Sequence, residues 1–150
     1  MRRLSVHAHA ASYASASSLA QLLVAVDRYP SWHGDVVRKV VVRTRDEAGR
    51  PETVDVTLRV GIGPVHHDLE LTLAICATLP TRITLTRLPN EAGDPETFVA
   101  AWRLDEDPRT TISLEVEAEV DVPRLVPLGG IGDRLAQGFV DAAIARAAAG

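Results

Sequence analysis

Tyr29-Pro30-Ser31-Trp32 closes a short helix-like segment and leads almost at once into Val36-Val37-Arg38-Lys39-Val40-Val41-Val42, a strand-like run. Upstream, Leu19, Leu22, Leu23 and Val26 recur at helical spacing, and serines 15, 17 and 18 offer side-chain oxygens to the N-terminus of that helix. Pro30 is expected to stop it. Earlier still, Leu4, Val6, Ala8 and Ala10 alternate with Ser5, His7 and His9, the period of a half-buried strand. The order strand, short helices, strand therefore centres on residues 29–42.

Working outward, every further strand is one-sided. Val40 and Val42 oppose Lys39 and Arg43, and the turn Asp46-Glu47-Ala48-Gly49-Arg50-Pro51 ends that strand. Val54, Val56, Leu58 and Val60 alternate with Asp55, Thr57 and Arg59 until Gly61 and Gly63-Pro64 turn the chain. Leu69, Leu71, Leu73 and Ile75 carry the fourth strand, and Ile83 and Leu85 a short fifth. The loop Pro89-Asn90-Glu91-Ala92-Gly93-Asp94-Pro95 follows. Phe98, Ala100, Trp102 and Leu104 line one side of the sixth strand, which Asp105-Glu106-Asp107-Pro108 ends. In the seventh, Ile112, Leu114, Val116, Ala118 and Val120 oppose Ser113, Glu115, Glu117, Glu119 and Asp121, so one face is core and the other water. Pro123 and Pro127 flank a connector. Leu128, Ile131, Leu135, Phe139, Ala142, Ala143 and Ile144 then trace a helical stripe. Hairpin-length turns make the sheet antiparallel, and the last helix is the element long enough to cover its apolar face.

Bulk properties narrow the function. At 150 residues and 46% hydrophobic, the chain fits one domain spanning 1–150. Its net charge is −4 and its 16 Lys and Arg are scattered, so there is no basic stripe to neutralise phosphates and nucleic acid is not an expected ligand. The lone Cys76 cannot form an internal disulfide or a thiolate zinc cluster, which fits a reducing, cytoplasmic setting. Arg2-Arg3 before an Ala- and Ser-rich stretch resembles a secretory signal superficially, but Ser12, Ser15, Ser17, Ser18 and Gln21 interrupt the continuous apolar run a signal needs. Nor does any window reach the roughly 18 apolar residues of a membrane span. A soluble chain without stable membrane insertion, monomeric or homodimeric, is expected.

The Tyr29-Pro30-Ser31-Trp32 segment, the strand after it and the Asp46 to Pro51 turn resemble the polyketide cyclase/dehydrase and lipid-transport superfamily, the SRPBCC, START-like or Bet v 1-like helix-grip domains. The resemblance covers nearly the whole chain and carries no catalytic signature. It implies an α+β fold: a seven-stranded curved antiparallel sheet wrapped around a long C-terminal helix, with short helices between strands 1 and 2. It also implies an apolar ligand held between sheet and helix. Composition agrees with a cavity, since Trp, Tyr and Phe occur only twice each and the inner strand positions are mostly Val, Leu, Ile and Ala. Ala100, Ala118 and Gly138 add small residues on faces expected to look inward. The alternative is a tightly packed core.

The expected ligand-binding residues are Trp32, Val56, Leu58, His67, Leu69, Leu71, Leu85, Arg87, Ala100, Trp102, Leu135 and Phe139. A mostly aliphatic lining favours an acyl chain, isoprenoid or sterol-like guest, with no cofactor. His67, Arg87 and Arg38 are the polar residues able to orient it. Arg87 could hold a carboxylate or enolate and His67 could exchange a proton near neutral pH, unless these strand-end side chains simply reach for water. Trp32 reads either as a plug beneath the first helices or as closing the cavity opposite Trp102.

Two further function classes stand beside a hydrophobic carrier. One is an aromatase/cyclase that closes a poly-β-ketone by aldol chemistry with an Arg and a proton-transfer group, as some members of the resembled superfamily do. The fourth strand, Leu69 to Ile75, contains no Arg, which departs from that pattern. The other is a protein-interaction role, which an exposed apolar patch would favour. His7, His9, His66 and His67 do not make a metal site on count alone. In the resembled fold the first strand lies beside the seventh, so His7 and His9 are expected to face outward near Glu115, Glu117 and Glu119. Gly129-Gly130-Ile131-Gly132 lacks the preceding parallel strand and following Lys of a phosphate loop and reads as a hinge.

Overall fold

The computed structural model describes residues 1–62, 64–121 and 128–149. Gly63 and the connector carrying Pro123 and Pro127 lie outside the described residues. The elements run β1 (Arg2–Ser12), α1 (Ala16–Val24), a 3-10 turn (Val26–Arg28), α2 (Tyr29–His33), β2 (Val37–Arg45), β3 (Pro51–Ile62) and β4 (Val65–Thr78). They continue with β5 (Arg82–Arg87), β6 (Thr97–Glu106), β7 (Thr110–Val120) and α3 (Leu128–Ala148). All seven strands form one antiparallel sheet in the order β1-β7-β6-β5-β4-β3-β2.

The alternation read from sequence sets the faces. Val54, Val56, Leu58 and Val60 of β3, Phe98, Ala100, Trp102 and Leu104 of β6, and Ile112, Leu114, Val116, Ala118 and Val120 of β7 are all buried. Each fully buried Val, Leu, Ile or Phe among them contributes about 1.5–3 kcal/mol through removal of apolar surface from water. The register pairs His7 with Glu115 and His9 with Ser113, on the outer face, where both imidazoles are exposed. The β2–β3 turn is built on Asp46. Its Oδ1 accepts the backbone N–H groups of Ala48 (2.9 Å) and Arg50 (3.0 Å), and Gly49 takes φ +82°, a left-handed conformation that suits a residue without Cβ.

The helical cover starts where the serines suggest. Ser15 caps α1, its Oγ accepting the Ser18 N–H at 3.1 Å. The ending differs from expectation. Helix α1 stops at Val24, and Pro30 lies inside the first turn of α2, where its missing N–H leaves no helical bond unmade. Pro30 thus helps to start a second helix instead of stopping the first. In α3 the buried stripe is Ile131, Ala136, Phe139, Val140 and Ala143, with Leu135, Ala142 and Ile144 half-buried. Ala136 and Val140, each 0% exposed, were absent from the expected stripe; a helix lying this close to a strand selects small side chains at its contact line. Leu128 begins α3, but its side chain is outside what is described. The Gly129 to Gly132 stretch, read as a hinge, falls within the first turn of α3 as far as its backbone is described. Gly132 faces β1, where an added Cβ would overlap Leu4 and come within 2.7 Å of Val6 Cγ1. Helix α3 packs chiefly on β1, with lighter contacts to β7 and β3.

The β2 edge of the sheet is less regular than the β1 edge, where eleven consecutive residues pair with β7 without a shift. The β2–β3 register shifts between Val37 and Lys39, between Val42 and Thr44, and between Thr44 and Arg45. No helix among the described residues is long and apolar enough to cross a membrane.

Candidate functional site

The space between the concave face of the sheet and α3 holds a cavity of ≈ 50 Å³. Its sheet side comes from the inward positions of six strands, among them Val56 and Leu58 of β3, Leu85 of β5, Ala100 and Trp102 of β6, and Leu114 and Val116 of β7. Val26 and Tyr29 close it from the helical connection, and Leu135 and Phe139 from α3. No charged side chain or histidine lines it among the described residues. Sites that enclose a drug-sized ligand run to about 300–1,000 Å³, so most of the space between sheet and helix is filled core.

Aromatic packing accounts for much of that filling. Tyr29, Phe98, Trp102 and Phe139 all line the cavity, although they are four of only six aromatic residues in the chain. Phe139 lies 6.5 Å from Tyr29 and 6.3 Å edge-on from Trp102, centroid to centroid. The single phenol among them is occupied. Tyr29 Oη donates to the Leu23 carbonyl at 2.6 Å, and burial pushes its pKa well up, only partly offset by a hydrogen bond from the Trp102 indole. Tyr29 therefore stays neutral and offers no proton exchange near neutral pH.

Seven of the expected ligand-binding residues are brought together around the cavity: Val56, Leu58, Leu85, Ala100, Trp102, Leu135 and Phe139. Five are not. Leu71 is buried and Leu69 half-buried, both outside the lining. His67 pairs with Val60, which puts it on the concave face but beyond Leu69, partly exposed near the turn of the β3–β4 hairpin. Strand alternation reports the face correctly but not how far along the strand the helical cover reaches.

Arg87 is buried, yet it is spoken for. Its Nη1 donates to the Glu96 carbonyl (2.8 Å) and its Nη2 to Asp94 Oδ2 (2.8 Å), with the two side chains only 3% and 9% exposed. The Asp94 carboxylate also accepts the N–H groups of Asn90 and Glu96. The Arg87 hydrogen bond, then those two backbone donors, hold the Asp94 carboxyl down at about 2. The pair fastens the β5–β6 loop onto the end of β5 and leaves Arg87 outside the cavity lining. Arg38 is exposed and donates to the Gly34 carbonyl at 3.0 Å.

Trp32 is half-buried behind Tyr29, its ring 4.8 Å away, and does not line the cavity. This placement matches the plug of the two readings. His33, next to it, meets the edge of Phe139 at 4.5 Å, and burial pulls its pKa below the usual histidine value against the opposing influence of Asp35. Gly138, expected to look inward, faces this imidazole, 3.8 Å from where its Cβ would be. Tyr29, Val26, Val37, Leu73, Phe98, Leu114 and Val116 are the lining residues that the sequence reading did not single out. The signal for Tyr29 is its place in the Tyr29-Pro30-Ser31-Trp32 segment, at the start of α2. No group of three or more His, Cys, Asp or Glu that could hold a metal ion occurs among the described residues.

No family model matches the chain, and no curated protein matches it. Solved structures do. The chain is similar to a START superfamily protein from Mycobacterium smegmatis, with a TM-score of 0.66 and 17% identity over 97% of this chain and 94% of that one. It is similar to major latex-like protein 151 from Panax ginseng, with a TM-score of 0.62 and 8% identity over 97% and 95%. It also resembles the di-domain ARO/CYC BexL from the BE-7585A biosynthetic pathway, at a TM-score of 0.58 and 18% identity, covering 97% of this chain and 46% of that one. At these identities the likeness concerns architecture. It shows a START-like, Bet v 1-like helix-grip fold.

Proposed function

We propose that this START-like chain binds a neutral, hydrophobic small molecule between its sheet and α3, as a carrier or buffer of that molecule. The observation that carries the reading is the lining itself: ten aliphatic and four aromatic side chains with no charged group among them. Such a surface has affinity for apolar matter and gives a reacting ketone no acid, base or cation. The aldol cyclase reading needs a free guanidinium and a proton-transfer group at the guest. Arg87 is engaged by Asp94 and Glu96, and the Tyr29 phenol is held by Leu23.

A volume of ≈ 50 Å³ admits only a few heavy atoms as it stands, so an acyl chain, isoprenoid or sterol-like guest requires α3 to move away from the sheet. The cost of that movement is recovered by covering apolar surface at about 25 cal/mol per Å². A cytoplasmic location, no cofactor, and a monomer or homodimer belong to the same reading.

The test is a series of neutral guests of rising length, from hexane to long-chain alcohols, titrated into wild type and Ala100→Leu and followed by the Trp102 indole resonance and by thermal stability. Binding by wild type that Ala100→Leu weakens about tenfold or more supports the cavity, since the larger side chain occupies it. No binding by any guest up to its solubility limit, or equal binding by both proteins, overturns it.

A further inference from the structure

A second concave surface lies on the other side of the helical cover, where α1, α2 and the last turn of α3 meet in a groove of ≈ 740 Å³. Its chemistry is opposite to that of the cavity. The apolar floor is made by Leu22, Ala25, Trp32 and Ala147, and two guanidinium groups, Arg28 and Arg146, flank it. No Asp or Glu lines the groove among the described residues.

Two like charges beside one cleft repel, and in a chain with 20 acidic against 16 basic residues a counter-ion would be easy to supply from within. None is supplied. Neither Arg28 nor Arg146 has an ion-pair partner among the described residues. Asp27, adjacent in sequence to Arg28, turns to Arg45 at 3.7 Å, and Asp141 on α3 accepts from Gln137 at 3.0 Å. Both guanidiniums are exposed and so retain their donors for a partner. Trp32 adds a half-buried aromatic surface whose Nε1 is buried without a hydrogen-bond partner.

We propose that this groove is a binding site for a small amphipathic anion, a carboxylate carried on an apolar body. The carboxylate lies between Arg28 and Arg146, and the body lies on Leu22, Trp32 and Ala147. Among the described residues the cavity has no cation to receive such a headgroup, so charge sorts ligands between the two places: neutral molecules to the cavity, anionic ones to the groove.

The experiment titrates sodium decanoate into the full chain while recording the Trp32 and Trp102 indole N–H resonances, assigned with Trp32→Phe. Decanoate is expected to move the Trp32 resonance. Arg28→Gln with Arg146→Gln, both at exposed positions, should weaken decanoate binding about tenfold or more, the loss of charge-assisted bonds, and leave 1-decanol binding as in wild type. Raising sodium chloride from 50 to 500 mM should weaken decanoate in the unmodified protein, which tests the charge term without any variant. Movement of the Trp102 resonance alone would place decanoate in the cavity, overturning the groove site while leaving the cavity reading intact. Unchanged affinity in the double variant overturns the site as well. Inorganic phosphate moving Trp32 as strongly as decanoate overturns the need for an apolar body. Binding to phosphatidylglycerol vesicles in place of monomeric decanoate overturns the small-molecule assignment in favour of a membrane surface.

Discussion

Strands β4 and β7 are both written as apolar residues alternating with polar ones, and they end up in different surroundings. In β7 every second residue from Thr110 to Val120 is buried. In β4, only Leu71 and Leu73 are, while Leu69 and Ile75 stay half-buried and Val65 is 46% exposed. The difference lies in what covers them. Helix α3 runs along β1 and reaches β7, and no helix packs substantially on β4 among the described residues. Alternation tells a strand which way to face. Burial depends on a partner set by the rest of the chain.

The comparison breaks or holds on three measurements. The largest effect is expected in β7, where Leu114→Ala removes a side chain that is 2% exposed and lines the cavity, at a cost of about 2–5 kcal/mol in urea denaturation. The matching Leu69→Ala in β4 should cost about 1 kcal/mol, because part of that surface already meets water. Equal losses at the two positions would show that β4 is covered after all. A middle-sized effect is expected at the seam between α3 and β1. Gly132→Leu puts a side chain where Leu4 and Val6 already are and should cost about 1–3 kcal/mol by overpacking. It should also enhance binding of longer neutral guests by lifting the helix. Stability like that of wild type would mean that the helix is not held against β1 at this point.

The last signal is confined to acid and concerns the loop that follows β5. Asp94 has its carboxyl held at about 2, below the ordinary carboxylate value. Its contribution is therefore complete above roughly pH 4 and is lost as the pH falls from there through about 2, because only the ionised form takes the hydrogen bonds of Arg87, Asn90 and Glu96. Thermal melting of wild type should lose stability across that window, and Asp94→Asn should flatten that limb. An unchanged acid limb in the variant would assign the dependence to other carboxylates.

How far the residues foretold this arrangement follows from which forces are local. The seven strands, the Ser15 cap and the Asp46 turn were legible because alternation, capping and turn chemistry act within a few residues of sequence. Ala136 and Val140 were not, since small side chains give a weak periodic signal and their burial depends on how closely α3 approaches a strand more than a hundred residues earlier. Pro30 was misread because a proline that ends one helix and a proline that opens the next look alike from its own position. Among the site residues, Val56, Leu58, Leu85, Ala100 and Trp102 followed from strand faces. Arg87 did not reveal its role, since its partner Asp94 lies in a loop that sequence marked only as a turn. A ligand role for Arg87 would have required that aspartate to be elsewhere.

The three register shifts between β2 and β3 have a consequence at the boundary of the molecule. As an edge strand, β2 presents backbone donors and acceptors to the solvent, and a regular ladder of them invites another strand to attach. Here the spacing of those groups is interrupted three times, and Lys39, Arg43 and Arg45 stand exposed along the same segment. An incoming strand would lose its register every few residues and meet positive charge as it did so. The sheet therefore finishes at β2 by its own geometry, at an edge poorly matched to an incoming strand.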